Sequence, residues 1–148
     1  MSAKKRKSKK RSAANSDPPP ETLTYYLDRA LGKHIIADLL RAAGVQIEVH
    51  DDHLPIDAPD EDWIGLIAAQ GWIGITKDRH IRHRHSELSA IKSHKAKVLV
   101  VRAKNTTATE IADVLIKSLS KIEKFVTSNK PPFVAGVDRL GKIRKYEI

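Results

Sequence analysis

The sequence has no cysteine. This excludes a disulfide scaffold, a thiolate metal site and a cysteine nucleophile. Its apolar runs are short, so no segment is expected to span a membrane. The first twenty residues lack the apolar stretch of a secretory signal, and with no cysteine present the chain reads as cytoplasmic. There is no glycine-rich phosphate loop, no G-x-S-x-G nucleophile elbow and no internal repeat. Several large enzyme classes are thereby set aside, and the charged residues become the main functional signal.

Those charges are unevenly distributed. The 148 residues carry 27 Lys+Arg against 18 Asp+Glu, a formal net charge of +9. Lys4, Lys5, Arg6, Lys7, Lys9, Lys10 and Arg11, set against Asp17, place +6 of this in residues 1–20. After Met1 this stretch holds no apolar side chain larger than alanine, so residues 1–21 are expected to form a disordered basic tail. Such a run attracts polyphosphate without sequence preference and with strong salt dependence. Pro18, Pro19 and Pro20 mark its boundary, and residues 22–148 are expected to form one folded domain.

Within that domain, short apolar runs alternate with helical periodicity. LTYYL (23–27), VQIEV (45–49), WIGIT (72–76) and KVLVV (97–101) read as strands. Ile35, Ile36, Leu39, Leu40 and Ala43 repeat at helical spacing up to Gly44, and Trp63, Ile64, Ile67 and Ala68 do so up to Gly71. Ile111, Val114, Leu115, Ser118, Leu119, Ile122 and Phe125 predict one long amphipathic helix, with Thr107 or Thr109 as its N-cap. Residues 133–137 and 142–148, with Gly141 at the turn, read as a hairpin. The order β-α-β-α-β-α-β-α-β-β predicts an α/β three-layer sandwich, with a mostly parallel doubly wound sheet and a C-terminal antiparallel hairpin.

In such a sheet, ligands gather at the carboxyl ends of the strands. Asp28 ends the first predicted strand, His50-Asp51-Asp52-His53 ends the second and Asp78 ends the third. Asp60-Glu61-Asp62 opens the helix that leaves the second strand, at the same edge. Each acid also has a plain structural reading. Asp60 could serve as an N-cap and Asp78 could cap a turn, whereas Asp28 has no evident local task. Together they form an all-oxygen cluster, which suits Mg²⁺ or Mn²⁺ and phosphodiester hydrolysis. KDRHIRHRH (77–85) follows directly. Lys77, Arg79, Arg82 and Arg84 are candidate contacts to a phosphate backbone, set against the plain reading of a solvated face. A metal site at His80, His83 and His85 is disfavoured by the neighbouring arginines. The His50-Asp51 pair resembles that of metal phosphohydrolases, but those are all-helical. A receiver-type phosphoacceptor domain would want an acidic pair at the first strand, where Leu27 and Arg29 flank Asp28.

At YYLDRALG, EVHDDHLPIDAPDEDW and GWIGITKDRHIRHR the chain resembles the PIN-like ribonucleases, in particular the VapC-type toxin branch and the related Mut7-C-like domains. The likeness covers residues 22–148, and its most specific element is Thr76-Lys77-Asp78. It implies a metal-dependent endoribonuclease, often the toxin of a toxin–antitoxin pair, with RNA as substrate. Asp28, Asp60 and Asp78 would be catalytic metal ligands for Mg²⁺ or Mn²⁺, with Glu61, Asp62 and Asp52 as alternates. A homodimer and a cognate antitoxin that blocks the site are the implied partners. The family's fourth acid has no counterpart in residues 79–86. That departure leaves a second reading open, a non-catalytic nucleic-acid-binding or regulatory module.

Overall fold

Alternation along the first strand sets the layers. In Thr24–Leu27 (β1), Tyr25 and Leu27 enter one apolar core and Tyr26 enters the other, as successive side chains of a strand must. A strand buried on both faces belongs in the middle of a sheet with helices on each side. The computed structural model describes residues 23–32, 34–102 and 104–148. The basic tail expected over residues 1–21 lies outside the described residues.

After β1 come Ile35–Ala42 (α1), Gln46–Val49 (β2), Asp60–Gln70 (α2), Ile73–Thr76 (β3), His85–His94 (α3), Lys97–Val101 (β4), Ala108–Lys117 (α4), Leu119–Ser128 (α5), Phe133–Val137 (β5) and Ile143–Lys145 (β6). The six strands form one sheet in the order β2-β1-β3-β4-β5-β6. All neighbours are parallel except β5 and β6. The expected mostly parallel α/β sandwich with an antiparallel C-terminal pair is therefore the observed fold. No described helix is long and apolar enough to cross a membrane.

Helices α1, α4 and α5 cover one face through Ile36, Leu40, Ile111, Leu115, Ile122 and Val126. Helices α2 and α3 cover the other through Trp63, Ile64, Ile67 and Ile91. The seat of α2 is narrow. A Cβ at Gly74 of β3 would stand 2.7 Å from the Trp63 ring and 2.8 Å from Ile67 Cδ1, so glycine lets α2 lie close on the sheet.

The single long helix expected across Ile111 to Phe125 is two helices. Ser118 breaks it, with φ −96° and ψ 2°. The reason is tertiary. Gly141, with φ +79°, brings the β5–β6 turn against Ser118, and a Cβ there would lie within van der Waals exclusion of Ser118 Oγ. The bend keeps both halves of the apolar stripe on the sheet. At the start of α4, Thr107 is the N-cap: its hydroxyl accepts from Glu110 N–H at 3.1 Å and Glu110 Oε1 accepts from Thr107 N–H at 2.9 Å, a capping box.

Candidate active site

The strand order reverses direction between β1 and β3, because the chain steps outward from β1 to β2 and then returns across it. In open α/β sheets this switch point is where a crevice opens at the carboxyl ends. Register places Leu27 of β1 beside Ile75 of β3, and Asp28 N–H donates to Ile75 C=O at 3.0 Å. Asp28 and the β3 exit are therefore neighbours by topology, although 48 residues separate Asp28 from Thr76.

Thr76 joins the two acids. Its hydroxyl donates to Asp28 Oδ2 and accepts from Asp78 N–H at 3.1 Å. This gives the Thr-x-Asp spacing a physical meaning: one hydroxyl fixes Asp28 from one side and the Asp78 backbone from the other. Asp28 Oδ1 accepts from Ala30 N–H at 2.8 Å and caps the 3₁₀ turn Arg29–Leu31. Asp28 thus does have a local structural task, contrary to the sequence expectation. The turn was missed because three residues leave no periodic signal.

Asp28 is 6% exposed. Burial, reinforced by the charges of Asp60 and Asp78, pushes its pKa up to about 6 against the pull of the Thr76 and Ala30 hydrogen bonds. Asp60 begins α2, and Pro59 rather than Asp60 is the N-cap residue. Asp60 Oδ1 accepts from the Trp63 indole Nε1–H at 3.0 Å. Of the candidate middle acids, Asp60 contributes a charge that raises the Asp28 pKa.

Asp78 is differently placed. Oδ1 accepts from His80 N–H at 3.0 Å, closing a turn. Arg84 grips the carboxylate with both terminal nitrogens, Nη1 to Oδ2 at 2.5 Å and Nη2 to Oδ1 at 3.2 Å. Partial burial raises the Asp78 pKa, but the Arg84 hydrogen bonds and charge win and hold it below the usual carboxylate range. Arg84 Nη1 also reaches Glu87 Oε1 at 3.0 Å. Of the predicted phosphate contacts, Arg84 is exposed but already paired with two acids. Lys77 and Arg79 are exposed, and Arg82 stacks over the Tyr146 ring at 4.0 Å.

Glu87 escaped the sequence reading, and His50, noted there only within the acidic strand end, has a structural role that the sequence did not reveal. Glu87 is a buried acid on α3, 8% exposed; its only sequence signal is the i,i+3 spacing from Arg84. His50 is buried, and its ring bridges Tyr26 Oη at 2.7 Å and the Pro55 carbonyl at 2.8 Å. A carbonyl only accepts, so His50 Nε2 carries a hydrogen and, in the neutral ring, Nδ1 accepts from the Tyr26 hydroxyl. His50 thereby ties down the loop that delivers Asp60. Tyr26 itself stacks on Trp63, with ring centroids 5.7 Å apart.

Hard oxygen donors suit a divalent cation in kind. Among the described residues neither Asp28 nor Asp60 has a basic partner within ion-pair distance, and their mutual repulsion is what a cation would relieve. This pair fits a divalent ion. Asp78 is already paired with Arg84, and among the described residues no three His, Cys, Asp or Glu side chains stand together closely enough to hold a metal.

The sheet is mostly parallel, with acids gathered at its switch point. The chain belongs to the PIN-like family: residues 23–103 match the family described as "PIN like domain". A relative from Mycobacterium tuberculosis (strain ATCC 25618 / H37Rv), named "Putative ribonuclease VapC45", is 30% identical over 103 residues, covering 67% of this chain and 75% of the relative. No solved structure matches the chain.

Proposed function

We propose that the protein is a metal-dependent endoribonuclease of the VapC type, hydrolysing RNA phosphodiester bonds as the toxin of a toxin–antitoxin pair. The observation that carries this reading is Asp28. It is a buried carboxylate, raised to about 6 and facing two further acids, at the switch point of a PIN-like sheet. A buried acid among acids costs stability, and carboxylates perturbed in this way cluster at functional sites.

Asp28 and Asp60 would hold Mg²⁺ or Mn²⁺, with Asp78 joining them once released from Arg84; the bound ion would supply an activated water and stabilise negative charge building on the phosphate. The protein's own residues do the rest. Thr76 fixes the Asp28 carboxylate and the Asp78 backbone. His50 and Trp63 hold the loop and helix that present Asp60. Lys77, Arg79 and Arg82 lie beside the rim, where guanidinium and ammonium groups position a backbone phosphate. Arg84 orients Asp78 and Glu87 and offers the RNA less than its neighbours do. A cognate antitoxin, a homodimeric assembly and a cytoplasmic setting belong to the same proposal, which draws on the likeness to the relative named as a VapC ribonuclease.

One specific observation favours the second reading, a nucleic-acid-binding module that does not cut. Arg84 neutralises Asp78, in the place where a third metal ligand would be free. Calorimetric titration with Mn²⁺ separates the two. The nuclease reading predicts binding in the wild type and its loss in Asp28→Asn. Absence of Mn²⁺ binding in the wild type would favour the pure binder.

A further inference from the structure

The arginines of residues 79–84 do not stand alone. Two adjoining clefts, of about 390 Å³ and 370 Å³, open beside the acidic rim and share Arg79 and Arg102. One wall is the β3 exit with Arg79 and Arg82. The floor is the end of β4 with Arg102. The far wall is the C-terminal hairpin, which brings Arg139, Arg144 and Tyr146 from more than thirty residues further along the chain. The acid in this stretch, Asp138, is engaged in the hairpin turn, where Oδ1 accepts from the Leu140 and Lys142 amides at 2.9 Å each.

The hairpin is built to reach this cleft. Tyr146 N–H continues the ladder to Val134 C=O at 2.8 Å, just past β6. Its ring lies across β5 at Gly136, where any Cβ would collide with the phenol. Arg82 then stacks on that ring. The result is a platform with stacked cationic and aromatic planes, flanked by Arg79, Arg102 and Arg144. Residues 104–148, which carry the hairpin wall, lie beyond the segment that matches the family.

Convergent arginines with a stacking surface suit a flexible polyanion whose bases can be splayed out, and a single strand meets that description better than a duplex. Arginine also pairs with phosphate through two parallel hydrogen bonds. We propose that this cleft is the path of a single-stranded RNA backbone leading away from the acidic rim, with Arg102, Arg139 and Arg144 on phosphates and the Tyr146–Arg82 pair beneath a base. The inference rests on the ribonuclease reading for the identity of the strand. It goes beyond it in assigning the C-terminal hairpin to substrate binding.

The test reads binding without turnover. Full-length protein carrying Asp28→Asn is titrated against a labelled, mixed-sequence 12-nucleotide RNA by fluorescence anisotropy over a series of salt concentrations. Adding R102A, R139A and R144A should weaken binding at least tenfold and reduce the log–log salt slope by about 2, at roughly 0.7 per phosphate contact on a single strand. Tyr146→Phe should bind like its parent, while Tyr146→Ala should lose roughly tenfold. K95N, K97A and K130A remove the same charge at the amino ends of β4 and β5, opposite the strand ends that carry Arg102, and should leave both slope and affinity nearly unchanged. Circular dichroism confirms that each variant is folded.

The proposal is overturned if the arginine and lysine triple variants weaken binding equally. It is also overturned if duplex RNA of the same length binds as tightly as the single strand. A third contradicting outcome is displacement of the RNA by polyglutamate of equal charge as effectively as by unlabelled RNA, which would make the cleft an acidic-peptide site. Failure of the nuclease reading is seen separately, in cleavage assays of the wild type, and leaves this binding comparison intact.

Discussion

Asp28 is where function and stability pull against each other. Its pKa is about 6 in the fold against 3.8 for a free aspartate, so the native state holds the proton more tightly than the unfolded state does. The Asp28 contribution to stability is then fully present below pH 3.8 and is lost as pH rises through 6. The shift corresponds to a cost on the order of 3 kcal/mol at neutral pH. Asp28→Asn keeps an acceptor for Ala30 N–H and removes the charge. It should therefore stabilise the metal-free protein by roughly 1–3 kcal/mol at pH 7.5 and have little effect at pH 4, as read from urea midpoints. A variant that destabilises equally at both pH values would contradict this account of the residue. Thr76→Val removes a hydroxyl that serves both Asp28 and the Asp78 backbone, and should cost about 1–3 kcal/mol while also lowering cleavage.

At the scale of elements, α2 carries Asp60 and is seated by Trp63 and Ile67 over Gly74. Gly74→Ala forces α2 off the sheet by the width of a methyl group. It should cost about 1–3 kcal/mol by overpacking and reduce cleavage more than binding, because the displaced element bears an acid of the rim. Thermal denaturation with parallel cleavage and binding assays checks both halves of the expectation. Thr107→Ala, which opens the capping box of α4 and removes no hydrogen bond to a rim acid, should cost about 1 kcal/mol and leave cleavage of folded protein unchanged. The strands, α1 and α2 were legible in the sequence because their apolar periods are clean and their stops are glycines, Gly44 and Gly71, both left-handed in the structure. The break at Ser118 was not legible. The apolar stripe runs through it without a fault, and its cause, the Gly141 turn, lies over twenty residues away. The rim acids could be named from strand ends, whereas the Arg84 clasp on Asp78 and Glu87 could not, since sequence spacing does not reveal which way an arginine turns.

For the whole molecule, charge separates into three regions with different tasks. The acids gather at the switch point, the arginines of the β3 exit and the C-terminal hairpin line the cleft next to it, and the lysine-rich residues 1–20 stand apart in sequence. Removing residues 1–20 should lower the salt slope of RNA binding and leave cleavage intact; a truncation that abolished cleavage would contradict that division. The central claim is that Asp28 and Asp78 belong to a nuclease centre at the switch point. The most direct measurement is Mn²⁺-dependent cleavage of a panel of structured RNAs by the wild type, Asp28→Asn and Asp78→Asn, each shown to be folded. The account predicts cleavage by the wild type and a loss of at least about a hundredfold in each variant. Normal cleavage by both variants would contradict it.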